Sequence, residues 1–67
     1  MNLVYRGITL SISQLGPDFL ILRDDVTMPP GTGEISLQVD ASEQHWSVRI
    51  PEGIDVAKQK TRIQNLG

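Results

Sequence analysis

The stretch that decides the fold is Met28-Pro29-Pro30-Gly31-Thr32-Gly33-Glu34-Ile35-Ser36-Leu37-Gln38-Val39-Asp40-Ala41-Ser42-Glu43-Gln44-His45-Trp46-Ser47-Val48-Arg49-Ile50. It opens on a run of prolines and glycines. It then alternates apolar and polar residues through Ile35, Leu37 and Val39, and alternates again through Trp46, Val48 and Ile50. A period of two with one apolar face is the pattern of a half-buried β-hairpin. The reading expects a turn at Pro29–Gly33, strands at about Glu34–Asp40 and His45–Ile50, and a polar loop Asp40-Ala41-Ser42-Glu43-Gln44 between them. Trp46, in phase with Val48 and Ile50, is the expected core anchor. His45, in phase with Ser47 and Arg49, is expected on the wet face.

Upstream, Leu3 and Tyr5 share one phase and Ile8, Leu10 and Ile12 the other, with the switch at Gly7. One strand from Leu3 to Ser13 with an irregularity at Gly7 accounts for this, because glycine tolerates a bulge. Gln14-Leu15-Gly16-Pro17-Asp18 is a turn. Phe19-Leu20-Ile21-Leu22 is apolar in both phases, and so short a chain has little to cover a second face. Those four residues are the candidate association surface.

Downstream, Pro51-Glu52-Gly53 ends the hairpin. The segment from Ile54 to Gly67 admits two readings. Asp55 can cap a helix ending at Leu66, with Gly67 beyond it. The sparse apolar spacing instead favours a helical turn near Asp55–Lys58 and a short edge strand near Lys60–Asn65. The expected fold is therefore all-β: a small antiparallel meander of four to five strands, barrel-like or half-sandwich, with one helical turn near the C-terminus. Residues 1–67 form a single small domain.

A chain of 67 residues buries too little surface for ample stability, and the usual helpers are disulfides, metals or self-association. Cysteine is absent and His45 is the only histidine. That removes disulfides and thiolate zinc sites and leaves self-association, so a homodimer is expected, with a larger protein partner as the other option. No apolar run is long enough to span a membrane, and no basic segment with an apolar core opens the chain. The expectation is a bacterial protein of the cytoplasm, without a cofactor.

The net charge of −2 conceals an asymmetry. Residues 1–55 hold all eight acids and three arginines, hence 3 − 8 = −5, whereas residues 56–67 hold Lys58, Lys60 and Arg62 and no acid, hence +3. Those three cations are the candidate anion contact. Three charges make a small footprint for phosphate-driven affinity, so nucleic-acid binding is the weaker expectation.

Two resemblances lie in these residues. Pro29-Pro30-Gly31-Thr32-Gly33-Glu34 resembles the Walker A loop of AAA-type ATPases, but Met28 replaces its first glycine, Glu34 its lysine and Ile35 its magnesium-binding hydroxyl residue. A glutamate there repels the phosphates the lysine would meet, and a phosphate loop must open a helix rather than a strand. Nucleotide hydrolysis is thereby excluded. The run Ile8–Gly16, then Phe19–Leu22, then Pro30-Gly31 is similar to part of a PilZ domain, a β-barrel that binds cyclic diguanylate. Ser11, Ser13 and Gly16 occupy the places of its Asp/Asn-x-Ser-x-x-Gly motif, with serine at the first. Its arginine pair has no counterpart, Arg6 standing alone, so the ligand's phosphates would lack their main counter-charges. The resemblance implies a ligand-binding barrel. His45 is the only side chain suited to general-base chemistry near neutral pH, with Ser47, Arg49 and, across the hairpin, Gln38 or Asp40 expected beside it. A solvated sheet face offers such neighbours without a pocket, and no catalytic residue is assigned.

Overall fold

The structure is a computed structural model that describes residues 1–66. Among the described residues it is all-β, with no helix and seven antiparallel strands: β1 (Asn2–Tyr5), β2 (Ile8–Leu15), β3 (Phe19–Leu22), β4 (Gly31–Val39), β5 (Ser42–Ile50), β6 (Thr61–Arg62) and β7 (Gln64–Asn65). They form one sheet in the order β6-β3-β2-β1-β4-β5-β7. β3, β2, β1 and β4 make a Greek key, since β4 returns to lie beside β1. The outermost strands, β6 and β7, are consecutive pieces of one segment. Thr61 and Arg62 pair with β3, while Gln64 and Asn65 pair with β5. That segment joins both edges and nearly closes the barrel. Between them Ile63 is buried, its N–H donating to the Asp18 carbonyl at 2.9 Å.

Three boundaries differ from the sequence reading, each for a local reason. The phase switch at Gly7 is not a bulge within one strand. Arg6 and Gly7 have φ of 52° and 80°, and two successive positive φ values make the tight hairpin turn whose twist suits antiparallel strands. The chain reverses, Leu3 faces Leu10 and Tyr5 faces Ile8, and both phases land on the core side. The irregularity lies further on, between Ile12 and Gln14 where β2 meets β3. In the hairpin, the loop is Asp40-Ala41 alone. Val39 pairs with Ser42, and the ladder then runs unbroken to Gly31 and Ile50. β4 starts at Gly31, not Glu34, and β5 at Ser42, not His45. In the C-terminal segment the helical reading fails. Lys58 N–H bonds to the Asp55 carbonyl and Ala57 N–H to the Asp55 carboxylate, each at 2.9 Å, which makes a single turn. The segment near Lys60–Asn65 is extended and at the edge as expected, but it forms two short edge strands, one on each side of the sheet, rather than one. The cap assigned to Gly67 lies outside the described residues.

The core is centred on Tyr5, not Trp46. Tyr5 is fully buried among Leu3, Leu20, Ile35, Val48 and Ile50, and its hydroxyl donates to the Pro29 carbonyl. Its ring and hydroxyl lie close against Gly33 and Gly31 of β4, and this explains the glycines of the proline–glycine run. A Cβ on Gly33 would stand 2.9 Å from Tyr5 Cδ1 and 3.0 Å from the Val4 carbonyl oxygen. Trp46 is half-buried at the margin, its indole N–H donating to Asn65 Oδ1 at 3.1 Å. Indole carries a donor that needs a partner, and the wet margin of a barrel supplies one more readily than its centre.

Candidate functional site

Alternation along β3 sends its four apolar side chains two ways. Leu20 is fully buried and Leu22 packs against the core, whereas Phe19 and Ile21 belong to neither group and stand half-buried on the outer face. So the stretch has a second apolar face, of two residues. A folded single chain can offer Phe19 and Ile21 to a partner, but not Leu20.

The cations sort themselves likewise. Phe19 stands opposite Arg62 in the β3–β6 ladder, and the Lys60 ammonium lies over the Phe19 ring at 4.7 Å from its centroid. An ammonium so placed is attracted by the ring's negative face. Asp18, Phe19, Glu52, Lys60 and Arg62 line one open groove of about 290 Å³. Lys58 belongs elsewhere. It lines a neighbouring groove of about 160 Å³ between the Ile21–Val26 arm and the Asp55–Gln59 loop, together with Asp24, Asp25 and Asp55. Lys58, Lys60 and Arg62 therefore do not line one groove, and the groove at Phe19 holds two of the three.

Among the described residues no Lys or Arg side chain lies within 4 Å of a carboxylate; the ion pairs found there involve His45. Among the described residues Lys60 and Arg62 thus have no ionic partner, even with Asp18 and Glu52 on the same groove. Surface pairs of this kind contribute little to folding, so leaving them unmade costs the monomer little.

His45 lies on the outer face as expected, but its neighbours are not those expected. Nδ1 is 3.4 Å from Glu34 Oε1 and Nε2 is 3.1 Å from Glu43 Oε1. The two-residue turn puts Ser36, not Gln38 or Asp40, across from His45. The Ser36 hydroxyl donates to Glu43 at 3.2 Å, so no hydroxyl is bonded to the imidazole. Nucleophilic catalysis needs that bond within reach. All of these groups are open to solvent. Among the described residues no three His, Cys, Asp or Glu side chains are disposed to hold one metal ion.

The residues of the PilZ resemblance have structural roles here. Ser13 Oγ donates to the Ile21 carbonyl at 3.1 Å, and Gly16 lies beneath the Phe19 ring, where any Cβ would clash. Ser11 N–H is bonded to Asp24 Oδ2 at 3.0 Å. Arg6 sits at the other end of β2, its guanidinium beside Gly31 and the Tyr5 hydroxyl. The arginine and the motif residues do not meet in one pocket.

Sequence reasoning missed the reach of the β4–β5 hairpin. β1 pairs with β4 only over Gly33–Ser36, and β7 with β5 only at Val48 and Arg49. Leu37–Val39 and Ser42–Gln44 pair with each other alone and extend beyond the barrel as a two-stranded ribbon. The ribbon carries Val39, 48% exposed, beside Asp40 and Glu43. Its signal was present: between Arg23 and Arg49 there are five acids and no Lys or Arg. Among the described residues no helix is long and apolar enough to cross a membrane. Comparison of the chain with protein-family models, with curated proteins and with solved structures gives no match.

Proposed function

We propose that this chain is a non-catalytic association module that binds copies of itself through the outer face of β3 and β6. The observation that carries this reading is the patch made by Phe19, Ile21, Lys60 and Arg62: two half-buried apolar side chains beside two cations that have no ionic partner among the described residues. An apolar centre with a charged rim is the usual anatomy of an association surface. Three further points agree with it. The barrel interior is filled by side chains of Leu3, Tyr5, Leu20, Ile35, Val48 and Ile50, and the grooves lie on the outside. The chain is short and has no disulfide to supplement its core. The lack of cysteine fits a reducing cytoplasm.

Sedimentation velocity from micromolar to millimolar protein tests the reading. The expected result is a mass above that of one chain that increases with concentration. A single-chain mass throughout removes the reading. The outward residue Ile21 is the place to perturb it, because Ile21→Glu leaves the core intact. Leu20→Glu would unfold the protein and say nothing about association.

A further inference from the structure

Where the β4–β5 ribbon leaves the barrel, the outer edge of β5 has no neighbour, and the same edge of a second copy is its complement. We infer that two copies pair antiparallel along Glu43–His45 about a two-fold axis at Gln44. Glu43 of each copy then faces His45 of the other, and the two sheets join into one. The inference goes beyond the contact at β3 and β6 and uses a different element.

The main chain supports it first. Val39 and Ser42 close a two-residue turn, and such a turn is closed by a pair that exchanges both hydrogen bonds. Alternation then directs the N–H and C=O groups of Gln44 and Trp46 toward β4, and those of Glu43 and His45 outward. The next outward residue, Ser47, shows the phase: its carbonyl accepts from the Leu66 N–H at 3.0 Å. β7 pairs with β5 only at Val48 and Arg49, so among the described residues nothing meets Glu43 and His45 along this edge. An open edge is a template for another strand, and proteins that guard one use lysine, proline or a bulge. Ser42–Trp46 contains neither lysine nor proline, and its ladder with β4 is unbroken.

The register follows from the side chains. A symmetric pairing is centred on one residue of the edge. Centred on Glu43, it sets two carboxylates face to face, which is unfavourable. Centred on His45, it pairs Glu43 with Ser47, whose carbonyl already accepts from Leu66. Centred on Gln44, it pairs Glu43 with His45 twice, each pair exchanging both main-chain bonds, and Gln44 faces its own copy. The sizes agree with this register. The half-buried Trp46 comes opposite the small Ser42, with exposed Val39 next to that serine in the ladder, and the open side of the indole gains cover. Charge sets the limit. His45 already lies 3.4 Å from Glu34 and 3.1 Å from Glu43 of its own chain, so the seam holds more carboxylates than imidazoles. The main-chain bonds therefore hold it, and the contact is expected to be weak. A second two-fold contact besides that at β3 and β6 links copies into an open chain.

Gln44→Cys tests the seam, because position 44 faces itself there and the chain has no cysteine of its own. Facing residues of a non-hydrogen-bonded pair have Cα atoms about 4.5 Å apart, within the span of a disulfide. Gln38→Cys, also exposed but on β4, at the other edge of the ribbon, is the reference. In a glutathione redox buffer at equal micromolar protein, the disulfide dimer of Gln44→Cys is expected to be favoured at least ten-fold over that of Gln38→Cys. Adding Glu43→Pro removes an outward amide that β4 does not use, and adding His45→Glu sets carboxylates opposite each other without touching the main chain. Each is expected to abolish the advantage, with circular dichroism confirming the fold, whereas Ile21→Glu is expected to leave it unchanged. Equal dimer fractions for the two cysteine variants overturn the seam. So does an advantage that survives Glu43→Pro or His45→Glu in the folded protein, or one that vanishes with Ile21→Glu. The contact at β3 and β6 is judged separately, by the effect of Ile21→Glu on sedimentation of the cysteine-free chain.

Discussion

The barrel body and the β4–β5 ribbon are made partly of the same two strands, yet different forces hold them. In the barrel half of the hairpin β1 flanks β4 over Gly33–Ser36 and β7 flanks β5 at Val48 and Arg49, and Ile35, Val48 and Ile50 are fully buried. From Leu37 to Gln44 the same ladder continues with no neighbour and almost no burial. Backbone hydrogen bonds are equally available in both parts. What differs is the apolar area removed from water, and an isolated two-stranded ribbon is marginal without it. The contrast separates what the fold requires from what it merely tolerates. The body is where substitution should destabilise, and the ribbon tip is where substitution should leave global stability alone.

The strongest way to break that division is a core truncation. Leu20 is fully buried on β3, the strand that holds one side of the closure through β6. Leu20→Ala is expected to cost about 2–5 kcal/mol, a large fraction of what a domain of this size possesses, measured by urea denaturation. The matching truncation in the ribbon, Val39→Ala, is expected to stay within about 0.5 kcal/mol. Equal losses at the two sites would show that the ribbon is structural.

A smaller effect tests why β4 begins with glycines. Gly33→Ala sets a methyl 2.9 Å from Tyr5 Cδ1 and 3.0 Å from Leu3 Cδ1 and the Val4 carbonyl oxygen. The backbone carbonyl is fixed in the ladder and cannot retreat. The expected loss is about 1–3 kcal/mol in thermal or chemical denaturation, as for other overpacked cores. Gly7→Ala reports on backbone geometry instead, since nothing stands within 4 Å of its Cβ position but its φ is 80°.

Tyr5 gives the pH dependence. Burial pushes its phenol pKa above the ordinary tyrosine value of about 10, with the Arg6 guanidinium pulling the other way through its charge and hydrogen bond. The sign follows from linkage: the folded chain holds its proton more tightly than the unfolded one. The Tyr5 contribution is thus fully present below about pH 10 and is lost as pH rises through the folded value. Tyr5→Phe removes the bond to Pro29 and is expected to cost about 1 kcal/mol at neutral pH. The gap between wild type and variant should then narrow and reverse above about pH 10, as followed by denaturant midpoints across the alkaline range. A gap independent of pH would mean that the phenol has the same pKa in the folded and unfolded chain.

Much of this body was legible in the sequence. The all-β class, the alternation of Ile35, Val48 and Ile50 toward the core, and the wet placement of His45 follow from period two alone. The strand count does not. A switch of phase at Gly7 fits a bulge and a tight turn equally well, and only the positive φ at Arg6, a residue with no special preference for it, decides for the turn. Trp46 is the larger ring, but the Tyr5 phenol is the one that fits close against Gly31 and Gly33 at the centre, while the indole N–H finds its partner at the margin. At the candidate site, the double apolarity of Phe19–Leu22 was visible, but not the sorting of Leu20 inward and Phe19 outward. The charge trio was visible too, but Lys58 parts from Lys60 and Arg62 at a turn that spacing alone cannot orient. The ribbon left a trace only in charge, because the pattern of a strand does not state where its neighbours end.

The finest test is at the ribbon tip itself. Asp40 has φ of 54°, whereas Ala41, the second turn residue, is on the ordinary side, the arrangement in which glycine is preferred at the first place. Asp40→Gly relieves that strain and gives part of the gain back through the greater freedom of the unfolded chain, for a net of about 0.5 kcal/mol in favour of the turn. Because the tip has no flanking strand, that gain belongs to local opening of the ribbon and not to global unfolding. Hydrogen exchange should therefore show about two-fold stronger protection at Leu37, Val39, Ser42 and Gln44, with the exchange of Leu3, Tyr5 and Val48 unchanged. Protection that rises by the same factor in body and tip would mean that the two parts open as one unit. The division between a body held by burial and a tip held by its own ladder alone would then be lost.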